Sequence, residues 1–133
     1  MSQQYKVGDV IFIRSDIMYS LYHVGIVFKI EDNYFISQNT PYKVNSFGGS
    51  VSSMPLEDWL SDREILDIVS TGISSEYIMN ASYEMRFRKY DVLRFNCEHY
   101  ISIIENGKGM STQVNRWFWI VVIILAAISG KRL

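Results

Sequence analysis

Apolar residues come as short dense runs in the first third of this chain, at helical spacing in its middle, and as one unbroken block near its end. Val7 to Arg14 starts at a Gly-Asp turn and continues as a β-branched and aromatic run, which predicts a first strand. Ser15 to Tyr22 reads as a loop or short irregular turn. His23 to Ile30 is the second strand, with His23 at its first residue. Glu31-Asp32-Asn33 carries turn chemistry, and Tyr34 to Ser37 or Gln38 completes a hairpin.

The pattern then loosens. Thr40 to Val51 predicts further strand, interrupted by Pro41 and by Gly48-Gly49. Ser53 to Glu57 has the signature of a helix start, with a serine cap, an early proline and an acidic first turn; the helix should end near Leu60. Arg63 to Val69 fits a strand. Ser74-Ser75-Glu76 opens a helix to about Arg88, with Tyr77, Ile78, Ala81 and Met85 as its inward stripe. Tyr90 to Phe95 alternates as a half-buried strand, and Glu98 to Asn106 follows as a helix stopped by Gly107. A polar link covers 108–115. The predicted class is α+β, with an antiparallel sheet packed on helices.

Trp117 to Gly130 contains no charged residue, and Arg116 and Lys131-Arg132 bracket it. As a helix it spans roughly 21 Å at about 1.5 Å per residue, against about 30 Å of hydrocarbon. Its length fits a core helix. Its apolar circumference, terminal position and flanking aromatic and basic residues fit a membrane anchor, which is the expectation taken here. The chain is accordingly divided into a domain at 1–115 and an anchor segment at 116–133.

With 133 residues and a formal charge of −1, the chain is expected to form one folded domain without the basic face of a nucleic-acid binder. The start, Met1 to Lys6, has no signal-peptide pattern. One cysteine excludes an intrachain disulfide, and with two histidines a zinc site is not expected; no metal or cofactor is predicted.

The cysteine is the candidate chemistry. Cys97 falls at the first turn of the predicted helix, where unpaired N–H groups and the helix dipole favour thiolate. It also shares a helical face with Tyr100, Ile101 and Ile104, so a buried apolar role fits equally. A nucleophilic thiol needs a base. His99, two residues along the same helix, points away, which leaves His23 on a distant strand.

Asn96-Cys97-Glu98-His99-Tyr100, then Ile-Glu-Asn-Gly at 104–107 and Ser111-Thr112-Gln113-Val114, resembles the lecithin:retinol acyltransferase-like family. Gly8-Asp9-Val10-Ile11 and His23-Val24-Gly25-Ile26-Val27 resemble its opening and histidine strands, and the hydrophobic tail its phospholipase A/acyltransferase branch. The resemblance implies a circularly permuted, papain-like NlpC-type fold. It further implies that Cys97 takes an acyl chain from a phospholipid as a thioester, with His23 as base and water, an amine or an alcohol as acceptor.

The second histidine common in that family is absent. Alignment puts Ser37 at its position and Gln38 beside it, and Ser37 is the expected orienting residue. The Cys97 N–H is the natural oxyanion donor, with Asn96, Tyr22 or Tyr19 as possible support. The expected setting is an intracellular membrane, with the domain in the cytosol. The alternatives are an NlpC-type peptidase or amidase, and a tethered interaction protein that has lost activity.

Overall fold

The structure, a computed structural model, describes residues 4–15, 22–61, 63–107, 109 and 111–130. Five strands, β1 (Asp9–Arg14), β2 (Tyr22–Ile30), β3 (Asn33–Asn39), β4 (Val51–Pro55) and β5 (Ile65–Ser70), form one sheet in the order β4-β3-β2-β1-β5. All four pairings are antiparallel. The helices are α1 (Leu56–Leu60), α2 (Ser75–Glu84), α3 (Cys97–Asn106) and α4 (Thr112–Gly130). The protein is therefore α+β, as the sequence predicts.

The central strands are covered on both faces, which is why β1 and β2 read as near-continuous apolar runs. Val10, Val24, Ile26 and Phe28 meet α2 and α3, burying Ile78, Tyr100, Ile101 and Ile104. Ile11, Ile13, Val27 and Ile36 face the other way and pack on Leu56 and Trp59 of α1. β5 differs. It lies at the sheet edge with all six residues exposed, including Ile65, Leu66, Ile68 and Val69.

Four local expectations are corrected. Residues 40–50 form a loop without strand pairing, built around Asn45, whose Oδ1 accepts the N–H groups of Phe47 and Gly49. Ser53 does not cap α1: it pairs with Ser37 inside β4, and Pro55 holds the N-cap position without a side-chain bond. Residues 90–95 are a turn, closed by an isolated Asp91–Phe95 bridge. The Asp91 carboxylate accepts from the backbone N–H of Leu93 and Arg94, a turn chemistry that outcompetes an alternating pattern. Helix α2 ends at Glu84, where the chain tightens into turns in which the Arg86 N–H donates to the Tyr83 carbonyl and the Arg88 N–H to that of Met85; the carbonyls of Arg86 and Arg88 accept from Asn45 and Ser50 of the 40–50 loop. Its Ser74 cap and buried Ile78 and Met85 are as expected, while Tyr77 is exposed.

The expected loop at Ser15 to Tyr22 falls largely on residues 16–21, outside the described residues, as does Tyr19. Helix α4 begins inside the expected polar link and runs through the 115/116 boundary. Ser111 starts it by accepting from the N–H of Val114. From Trp117 to Ile128 its large apolar residues are exposed, save the half-buried Val122. No helix among the described residues is long and apolar enough to cross a membrane.

Candidate active site

Cys97 is the first residue of α3 and is 2 % exposed. The turn before it is held by a capping box. The Asn96 side-chain oxygen accepts from the His99 N–H at 3.0 Å, and the Asn96 N–H donates to His99 Nδ1 at 3.0 Å. The other end of α3 closes at Gly107, with φ 75°. His99 is thus a buried capping residue, consistent with its exclusion as a base.

Asn39, at the end of β3, fixes the same turn from the sheet. Its Nδ2 donates to the carbonyls of Phe95 at 2.8 Å and Asn96 at 3.1 Å, and its Oδ1 accepts from Ser50. Burial pushes the Cys97 thiol up to about 12, against the opposing pull of the Val24 N–H; the neighbouring Glu98 charge adds to the rise. The resting sulfur is a thiol.

On the α1 face, His23 Nε2 lies 2.8 Å from Gln38 Oε1, and Trp59 Nε1 donates to the same oxygen at 2.8 Å. The indole can only donate, so the atom between the two rings is the amide oxygen. His23 therefore carries its hydrogen on Nε2 and keeps the Nδ1 lone pair for another group. Burial lowers the His23 pKa below its ordinary 6.5, partly offset by the Gln38 bond. The ring is neutral at pH 7.

Strand register explains the contact. Gln38 stands opposite Gly25, two residues along the same face from His23. Gly25 carries no side chain, and the space a Cβ would take is filled by Ile36.

Cys97 and His23 converge on β2 from its two faces. The N–H that acts on the sulfur belongs to Val24, the residue next to His23. Among the described residues no hydrogen bond joins thiol and imidazole, and the ring's one bond runs to Gln38.

The Cys97 side opens to a pocket of about 220 Å³ between the 90–96 turn and the first turns of α4. Val92, Leu93, Val114 and Trp117 line it beside Cys97. Glu98 holds that wall. Its carboxylate accepts from Tyr22 Oη, from Ser111 Oγ at 2.8 Å and from the Gln113 N–H at 3.0 Å. One carboxylate thereby ties β2, α3 and α4 together.

Three expected roles are corrected. Ser37 does not orient His23: it pairs with Ile26, faces α3 and shares a 2.5 Å hydrogen bond with Tyr100 Oη. Gln38 orients His23, because register and not sequence alignment sets the face. Tyr22 gives its hydroxyl hydrogen to Glu98, and burial with that bond raises its pKa. Asn96 spends its side-chain donors on the Val92 carbonyl and Ser111 Oγ. Neither side chain is poised as an oxyanion donor. Trp59 and Asn39 are the residues sequence reading missed. A tryptophan between Leu56 and Leu60 on a short helix signals only a core position.

The chain matches no family model, and no curated protein or solved structure is significantly similar to it.

Among the described residues no group of His, Cys, Asp or Glu is arranged to hold a metal ion. The side chains gathered here can hold a neutral imidazole in one tautomer and present a protonated thiol at a helix N-terminus beside an apolar pocket. General-base thiol attack uses these two groups in contact, and here they rest on the two faces of β2.

Proposed function

We propose that this protein is a thiol acyltransferase or phospholipase acting at a lipid surface, with the permuted papain-like arrangement that its Asn-Cys-Glu-His box resembles. The observation that carries this reading is the Gln38–His23 bond, which leaves Nδ1 as the basic nitrogen beside the strand that receives the sulfur. In the proposed reaction the start of β2 shifts so that Nδ1 and the thiol, which rest on its two faces, come together. Nδ1 takes the proton as sulfur attacks an ester carbonyl, so no resting thiolate is needed. The Cys97 N–H meets the oxyanion. Collapse transfers the proton to the departing alcohol and leaves a thioester on Cys97. Water, an amine or an alcohol then gives its proton to Nδ1, attacks the thioester and releases the thiol. The apolar pocket suits an acyl chain, and the exposed apolar length of α4 suits a lipid surface.

The deciding experiment incubates the protein with phosphatidylcholine labelled in its acyl chains. A hydroxylamine-sensitive adduct on Cys97 is expected, absent in Cys97→Ala and formed more slowly in His23→Ala. No adduct, where an active thiol acyltransferase forms one, overturns the proposal.

One set of observations favours a second reading. A thiol 2 % exposed, pushed up to about 12 and not bonded to His23 suits a tethered interaction protein without activity. A lipid-bound protein that forms no adduct supports it.

A further inference from the structure

Away from Cys97, the 43–47 loop, β4 and the C-terminal half of α2 border an open cavity of about 540 Å³. Two cations, Lys43 and Arg86, line it, and no carboxylate does. Arg86 is the informative one. Its Nη1 donates to the Tyr83 carbonyl at 2.7 Å, while its Nε is buried with no hydrogen-bond partner. The guanidinium lies 3.7 Å from the Tyr83 ring centre, 4.5 Å from that of Phe87 and 5.4 Å from that of Phe47. The rings offset part of its desolvation and hold it in place, but they do not satisfy the Nε–H. A buried donor on a fixed cation with no carboxylate against it calls for an oxyanion.

The surrounding backbone is fixed as well. Asn45 Nδ2 donates to the carbonyls of both Val51 and Arg86, at 2.9 and 3.0 Å, joining the two walls. Gly49 passes so close to this segment that a Cβ there would collide with the Arg86 carbonyl oxygen. Ser52 also lines the cavity and has an unpartnered hydroxyl, but it stands opposite Gln38, so its side chain belongs to the other sheet face and is not counted.

We propose that this cavity binds a phosphate group, with the Nε–Nη2 edge of Arg86 as a side-on fork and Lys43 as a flanking charge. The Lys43 and Phe47 side chains are exposed, whereas the Arg86 Nε is closed to solvent, so an anion engages the fork once the groups covering it turn aside. The site is separate from the thiol chemistry and stands or falls without it.

Two arms test it on the full chain. The first is calorimetric titration with inorganic phosphate, comparing wild type with Arg86→Lys and Lys43→Gln. Arg86→Lys keeps the charge and loses the fork, and affinity should fall about tenfold or more. Lys43→Gln, at an exposed position, should weaken binding roughly threefold with the melting temperature unchanged. The second arm is flotation with phosphatidylcholine vesicles, with and without phosphatidic acid. Gain on phosphatidic acid that Arg86→Lys abolishes supports a lipid phosphate as the source. Phosphate binding in solution without that gain supports a free phosphate or soluble phosphate ester. No binding in either arm, or equal binding by wild type and both variants, overturns the proposal.

Discussion

His23 and Gln38 are joined at 2.8 Å on the α1 face of the sheet, and the Trp59 indole closes the other side of the same amide oxygen. This arrangement sets the tautomer of His23. It also replaces the second histidine expected from the family resemblance with a neutral amide.

Removing the amide should therefore lower acyl-adduct formation without removing the nucleophile. Gln38→Ala is expected to slow the labelled-lipid reaction on the order of tenfold or more. Gln38→Glu places a carboxylate on Nε2, raises the His23 pKa and moves the acidic limb of kcat/KM to higher pH. A pH–rate profile unmoved by Gln38→Glu excludes the assigned contact.

The two histidines should give stability a definite pH dependence. Burial holds the pKa of His23, and that of His99, below the ordinary 6.5 in the folded chain. The unfolded chain therefore binds protons first. These groups' contribution is complete above the unfolded value and is lost as pH falls below it toward the folded pKa. Melting temperature should decline below about pH 6.5, and His23→Gln should flatten that decline.

Thiol reactivity offers a test free of any substrate. A shift from 9.0 to about 12 means that at neutral pH Cys97 exposes about a thousandfold less thiolate than an unperturbed cysteine. Alkylation by iodoacetamide should be correspondingly slow in the native protein and become fast on denaturation. Rapid native alkylation at pH 7 contradicts the burial assigned to the sulfur.

Asn39 should matter to stability as much as any apolar core residue. Its side chain makes three buried hydrogen bonds that pin the turn before Cys97. Asn39→Ala is expected to cost about 2–4 kcal/mol, since several buried partners are left unpaired. Thermal or urea unfolding measures it directly.

A chain ending at Arg116 should lose flotation with neutral phosphatidylcholine vesicles while keeping the circular dichroism of its sheet. Continued flotation would show that α4 is not the lipid-binding element.

Strands and helices with strong local signals were legible in the sequence: the dense runs of β1 and β2, the Ser74 cap of α2 and the Gly107 stop of α3. Failures came where a side chain competed with the pattern or where pairing decided the outcome. Asp91 turned an alternating stretch into a turn, and β4 claimed Ser53 from the helix it seemed built to cap. Cys97 and His23 stand out by residue type and place, but that the two rest on different faces of β2 is set by the sheet and has no local signal. Alignment favours Ser37 over Gln38 because it counts residues, whereas facing depends on which residue stands opposite Gly25. Trp59 and Asn39 act through contacts 21 and 56 residues away in sequence, which no local pattern encodes.

The open edge of β5 has a consequence for handling the protein. A run of Ile, Leu, Ile and Val that is solvent-exposed on both faces, with one row of backbone donors and acceptors unpaired by the sheet, is a template for intermolecular cross-β growth. Precipitation would then begin at this strand and persist after α4 is removed. A gatekeeping charge such as Leu66→Lys, rather than detergent, is the remedy it calls for.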